Sequence, residues 1–248
     1  MKVSVLQMDI LWENPEENRR RAEEVIDSVP GSDLYILPEM FSTGFCTTPE
    51  GVAEYAGGET LSWMKKKASQ TGAAIAGSVA VEEDGKYFNR FYFVKPDGSV
   101  AQYDKKHLFT FGGEHEHFTA GDRRVVVEWK GVRILLEICY DLRFPIWSRN
   151  RGDYDMMIYV ASWPTPRVEA WKALLTARAI ENQCFVAGVN RVGDDPGNSY
   201  AGGTRLIDPY GKIIAECADG AEAVATADID MTVLNAFRQK FPVLNDAD

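Results

Sequence analysis

Short, almost wholly apolar runs recur along this chain of 248 residues, each closed by a turn signal and separated from the next by a polar or amphipathic stretch. The clearest is Met156–Ala161, in which only Tyr159 carries a polar side-chain atom. A run this short, bounded on both sides, reads as a strand covered on both faces, and such strands belong to largely parallel sheets under helices. Leu34–Leu37 reads as a short buried strand too, and Val132–Ile138 as a strand paired with Arg124–Trp129. Between them lie helix signals. Asn14-Pro15-Glu16-Glu17 has a capping side chain, a proline at the first position and acids in the first turn. Ala22, Val25, Ile26 and Val29 follow at helical spacing, and Pro30-Gly31 ends the segment. Further helices are predicted over Leu61–Gln70 and Pro166–Asn182, the latter with Val168, Trp171, Leu174, Leu175 and Ile180 inward, and another starting near Met231. Hairpins are predicted at Asp84-Gly85 and Lys130-Gly131. The alternation predicts an α/β fold of mixed sheets covered by helices. No composition break marks a linker, so residues 1–248 read as one domain.

Charge excludes several classes. Lys and Arg number 27 and Asp and Glu 37, giving a net charge of −10. An acidic chain lacks the basic footprint needed to grip a nucleic-acid backbone or an anionic membrane, so neither is expected as a partner. No apolar run has the length to cross a bilayer, and Gln7 and Asp9 interrupt the apolar start. Cys46, Cys139, Cys184 and Cys217 are too few and too scattered for a disulfide scaffold and read as reduced thiols of a cytoplasmic protein.

Three predicted strand ends carry complementary chemistry. Glu39 follows Leu34–Leu37; partly desolvated there, it is a usable general base, although a surface acid is the plainer reading of a lone glutamate. Lys105 follows Ser99–Tyr103 and either faces a developing oxyanion or joins Lys106 in a solvated basic patch. Cys139 follows Ile134–Ile138 at the carboxyl end of a strand, where α/β sheets gather ligands. It is either a nucleophile at a pocket mouth or a buried structural thiol. Base, cation and nucleophile together are the parts of an acyl-transfer site. Other patterns carry less. On a strand His115 and His117 would share one side, but no third ligand accompanies them and Gly112-Gly113 mark a loop, so no metal is expected. Gly197–Thr204 lacks the lysine of a phosphate loop. A thiol protease pairing His107 with Cys139 lacks any local protease signature.

Three ordered segments resemble the nitrilase superfamily of carbon–nitrogen hydrolases. They are Leu37-Pro38-Glu39-Met40-Phe41, Tyr103-Asp104-Lys105-Lys106-His107-Leu108-Phe109 and Ile138-Cys139-Tyr140-Asp141-Leu142-Arg143-Phe144-Pro145, joined by Ala177–Gln183. The resemblance covers nearly the whole chain and is nearest to the omega-amidases, with Ala161-Ser162-Trp163-Pro164 and Asn190-Arg191-Val192-Gly193 pointing the same way. It implies a four-layer α-β-β-α sandwich, a homodimer, and hydrolysis of the terminal amide of a small carboxylic-acid amide such as 2-oxoglutaramate, without metal or organic cofactor. By the same resemblance Glu39, Lys105 and Cys139 are the catalytic residues, and Glu114, spaced correctly before Phe118 and Gly121, is a second glutamate that orients Lys105; Glu116 does not fit. The backbone N–H of Tyr140 and the ammonium of Lys105 hold the oxyanion, and the ammonium favours the thiolate of Cys139. An N-carbamoyl amine or amino acid hydrolase of the same superfamily is the alternative. Leu135 and Glu137 depart from the glycines many relatives carry before the cysteine, and Thr204 from their serine. Arg167 is the candidate partner of a remote substrate carboxylate, with Arg143 second and more plainly read as a structural ion pair. Trp163 and Phe111 are the candidate aromatic walls.

Overall fold

The computed structural model describes residues 1–246. The apolar runs form the middles of two mixed sheets. In the first, the strands are ordered Ala223–Asp228, Lys2–Gln7, Leu34–Ile36, Ala74–Glu83, Lys86–Val94 and Val100–Asp104, with Glu54–Tyr55 also pairing with Ala74–Glu83. In the second, the order is Ile213–Glu216, Arg205–Ile207, Phe185–Asn190, Met156–Ala161, Val132–Ile138 and Val126–Trp129. The central strands of each sheet are parallel and the outer ones antiparallel.

Alternation along each strand separates the layers. Val3, Val5, Ile36, Ala76, Phe91 and Phe93 share one core with Ile134, Leu136, Ile158 and Val160, so the sheets meet face to face. Leu6, Tyr35, Ile75 and Tyr92 point the other way, onto Ala22 and Ile26 of helix Pro15–Ser28 and Met64 and Ala68 of helix Glu59–Thr71. Helices Val168–Glu181 and Met231–Lys240 cover the second sheet. The result is the α-β-β-α sandwich expected. Gly188 lets the helix approach: a Cβ there would lie 2.2 Å from Cδ1 of Leu175.

Local signals were legible at most boundaries. Asn14 Oδ1 accepts from the Glu17 N–H, Pro15 opens the helix, and Gly72 closes the next with φ +67°. Helix Val168–Glu181 departs from expectation. Trp171, Leu175, Arg178 and Ala179 face inward, whereas Ile180 is 51% exposed. The buried stripe advances by three or four residues and passes Ile180 by. Glu114–His117 is a helical turn rather than a strand, which sets His115 and His117 roughly 200° apart and denies them a shared side.

Candidate active site

Each of the three strand ends leads into a constrained loop. Leu37 N–H donates to the Ala76 carbonyl, extending the strand to Glu39. Met40 then takes φ +43°, fixed by Ser78 Oγ accepting its N–H at 2.9 Å. Cys139 takes φ +45° at the start of a 3-10 turn, Cys139–Arg143. A left-handed backbone costs a non-glycine residue roughly 1–2 kcal/mol, and such strain persists only where the surroundings enforce it. Here it turns the thiol out of the sheet. Lys105 leaves its strand with its N–H on the Asn89 carbonyl and its own carbonyl accepting from Gly121. Gly121 is required at this spacing because a Cβ would lie 2.1 Å from the Asp104 carbonyl oxygen. The Phe109–Phe118 segment therefore folds back against Lys105 and brings Glu114 with it.

Glu39, Lys105 and Glu114 form a fully buried cluster. Lys105 Nζ donates to Glu39 Oε1 at 2.9 Å and to Glu114 Oε2 at 2.9 Å. Asn89, which the sequence reading missed, donates its amide to both carboxylates, at 2.8 Å to Glu39 and 3.1 Å to Glu114. Ser162 N–H donates to Glu39 Oε2 at 2.8 Å and Phe109 N–H to Glu114 Oε2 at 2.6 Å. The sign that marks Asn89 is an amide at a buried position of the strand Lys86–Val94. Nothing in sequence tells such a residue from one on a solvated strand face.

The electrostatics follow from these contacts. Burial opposes the charge on Lys105, but Glu114 and Glu39 outweigh it and hold its pKa above the ordinary range. Burial raises Glu114, against the pull of Lys105 and with the push of Glu39. Cys139 is raised well above an ordinary thiol, first by burial and then by the negative charge of Glu39, with Lys105 opposing. These influences together favour the thiol over the thiolate. The Lys105 ammonium does pull toward the thiolate, while the nearby carboxylate and the missing solvent act more strongly in the other direction.

Cys139 and Lys105 open into a cavity of about 260 Å³ whose wall includes Tyr140, Trp163 and Phe109. Cys139 is 9% exposed, while Cys46, Cys184 and Cys217 are buried and line no part of this cavity. Arg143 and Arg167 stand at the same cavity, one guanidinium 4.9 Å from the Trp163 ring centre and the other 5.5 Å from that of Phe109. Neither forms an ion pair among the described residues, so the plainer reading of Arg143 is corrected: it is exposed and stacked on Trp163. Phe111 is corrected too. It is 87% exposed, and the turn Thr110–Gly112 directs Phe109 inward in its stead. Pro196, Asn198 and Tyr200 close one side from the hairpin Val192–Asp194/Ser199–Ala201. Glu137 is buried between strand and helix, and neither carboxyl oxygen has a protein partner. His107 places Nδ1 on Asp141, not on the thiol.

Comparison with known proteins extends these findings. A family model described as carbon-nitrogen hydrolase matches residues 2–239. The chain is 48% identical to omega-amidase YafV of Escherichia coli (strain K12), over 100% of this chain and 97% of that one. It is 38% identical to 2-oxoglutaramate amidase of Bacillus subtilis (strain 168), over 98% and 96%. The crystal structure of XC1258 from Xanthomonas campestris, a CN-hydrolase superfamily protein with an arsenic adduct in its active site, superposes with a TM-score of 0.97 at 43% identity, covering 100% of this chain and 97% of that one.

Proposed function

Because this chain belongs to the carbon-nitrogen hydrolase family, we propose that it is an amidase of the omega-amidase type, hydrolysing the terminal amide of a small carboxylic-acid amide such as 2-oxoglutaramate through a cysteine thioester. One observation carries this reading: a buried Glu39–Lys105–Glu114 cluster stands beside a thiol that faces a small cavity rimmed by two arginines without acidic partners among the described residues.

Glu39 takes the proton of Cys139 as the sulfur attacks the amide carbon. A positioned base contributes roughly 10²–10⁴-fold. An ammonium has three N–H bonds. Lys105 Nζ lies within hydrogen-bond distance of Glu39 Oε1 and of both Glu114 oxygens, so an N–H shared between the two Glu114 oxygens leaves another to turn toward the substrate oxygen in the cavity. With the backbone N–H of Tyr140 it holds the tetrahedral oxyanion, each such donor being worth about 10²–10³ in rate. Glu39 returns the proton to the departing nitrogen, ammonia leaves, and a thioester remains. Water deprotonated by Glu39 attacks the thioester, the acid is released, and the thiol regains its proton. Glu114 and Asn89 keep Lys105 and Glu39 aligned throughout. Arg167 and Arg143 hold the remote carboxylate of the substrate, and Trp163 and Phe109 wall its carbon chain.

The same reading includes a cytoplasmic homodimer. Four unpaired cysteines suit a reducing compartment, and Ile180, Tyr210 and Phe241 leave an exposed apolar patch beside Phe237, whose ring packs tilted against Tyr210. Light scattering of the purified chain tests the dimer.

Incubation with 2-oxoglutaramate tests the activity. Equimolar ammonia and 2-oxoglutarate, with no carbon dioxide, is the expected result. Failure to release ammonia from this and other small ω-amides would overturn it, and carbon dioxide from N-carbamoyl compounds would replace it.

A further inference from the structure

Asp141 takes no part in the chemistry above and does not line the cavity, yet it is fully buried two residues beyond Cys139. Four donors converge on its carboxylate. Oδ2 accepts from the Tyr103 hydroxyl at 2.8 Å and from Ile138 N–H at 3.0 Å. Oδ1 accepts from His107 N–H at 2.9 Å and pairs with His107 Nδ1 at 2.7 Å. Tyr103 and His107 stand two residues to either side of Lys105, and Ile138 immediately precedes Cys139. Lys106 N–H also donates to the Tyr103 hydroxyl, at 3.0 Å. One carboxylate therefore binds the chain on both sides of the ammonium to the chain that carries the sulfur.

The donor pattern admits only an acceptor at Asp141. Its oxygens accept two donors each, so an amide in its place would turn an NH₂ group toward two existing donors. It also sets the His107 tautomer: Nδ1 carries the proton, because its partner can only accept. The ring is held by the nucleophile turn itself, stacked on Phe144 at 3.9 Å with its edge toward Trp147. Asp141 has no lysine or arginine partner among the described residues; His107 is its one ionisable basic contact.

We propose that Asp141 and His107 are positioning residues, a strut that sets where the Cys139 sulfur stands relative to the Lys105 ammonium. The inference rests on those two groups acting together as described above. Lys105 keeps its bonds to Glu39 and Glu114 without the strut, so the cation stays in place and the sulfur shifts. The effect therefore falls on the chemical step and not on binding, and displacements of about 1 Å at a reacting centre are worth roughly 10²-fold in rate.

The test uses Asp141→Asn, His107→Leu and His107→Asn in the full chain, because asparagine offers an N–H near the position of Nδ1 and leucine offers none. Two readouts are taken: kcat and KM for ammonia release from 2-oxoglutaramate, and the rate of Cys139 alkylation by iodoacetamide. Asp141→Asn is expected to lose roughly 10²-fold in kcat with KM nearly unchanged. His107→Leu is expected to lose about tenfold, the scale of one hydrogen bond to a charged group. His107→Asn is expected to recover most of that loss, and the alkylation rates are expected to follow the same order. Should Asp141→Asn fail to fold, the two His107 variants carry the test. Wild-type kcat and alkylation in both Asp141→Asn and His107→Leu would overturn the strut, and so would equal losses in the two His107 variants, which would assign the effect to ring packing. The alkylation order does not depend on which amide is the substrate. If it holds while no amide yields ammonia, the strut stands and the substrate reading falls.

Discussion

Lys105 Nζ lies 2.9 Å from Glu39 Oε1 with both side chains sealed from solvent, so the cation and the proposed base of the site are one buried ion pair. Removing one partner of such a pair leaves an uncompensated charge, at a cost of about 3–5 kcal/mol. Here the loss is compounded, because Glu114 depends on the same ammonium. Lys105→Met is expected to lower the unfolding free energy read from a urea titration by an amount in that range, as well as abolish activity. Unchanged stability would mean that the two carboxylates find other partners.

Asn89 is the second donor between the same two acids. Asn89→Ala removes bonds to both and is expected to lower kcat by roughly tenfold. Asn89→Asp sets a third carboxyl against two existing ones and is expected to lose considerably more. Steady-state ammonia release decides the order; equal activity in the two variants would contradict a donor role.

Cys139 pays for its orientation with a left-handed backbone, φ +45°. Cys139→Ala and Cys139→Gly both remove the sulfur and are expected to release no ammonia. Glycine enters this region without the Cβ penalty, so the glycine variant is expected to be more stable than the alanine variant by about 1 kcal/mol. Paired urea titrations read the difference. A more stable alanine variant would mean that the turn relaxes once the thiol is gone.

Glu137 supplies a pH signature. Burial, and then the charge of Asp141, raise its pKa well above 4.5, against Arg124 and Arg178. The folded chain thus holds a proton that the unfolded chain releases. The stabilisation is complete below the ordinary carboxylate range and is lost as pH climbs toward the raised folded value. Glu137→Gln cannot ionise and loses nothing over that interval. Its melting temperature is expected to gain on wild type progressively as pH rises above the ordinary carboxylate range. A constant difference across that interval would show that Glu137 is not held neutral.

Arg167 and Arg143 line the cavity and have no acidic partner among the described residues. Arg167→Ala is expected to raise KM for a dicarboxylic ω-amide by about tenfold, the scale of a charged hydrogen bond, with kcat little changed. Arg143→Ala is expected to act in the same direction. An amide without a remote carboxylate should be indifferent to both changes. Equal losses on the neutral amide would assign the arginines to shape rather than charge.

Strands buried on both faces were the most legible part of the fold. Met156–Ala161 begins and ends where its apolar run does, because burial on both faces leaves no room for a charged side chain except at a cost. The hairpin Val192–Asp194/Ser199–Ala201 escaped notice, being short, polar and rich in glycine. Phe111 and Phe109 exchanged roles for a related reason: a single 3-10 turn decides which ring faces the cavity, and both rings have the same composition signal.

What the linear order of residues determined by itself was the inventory: apolar periodicity chose the elements, and three local motifs named an acid, a cation and a thiol at successive strand ends. Both depend on neighbours within a few positions, and such interactions survive in a list of residues. What only the folded state decided was how those groups act on one another. The thiol is favoured over the thiolate, Asn89 bridges two acids, and Asp141 braces Lys105 against Cys139, because each depends on distances and on excluded water between segments 25 to 100 residues apart, and Coulomb energy and desolvation exist only once those segments have met.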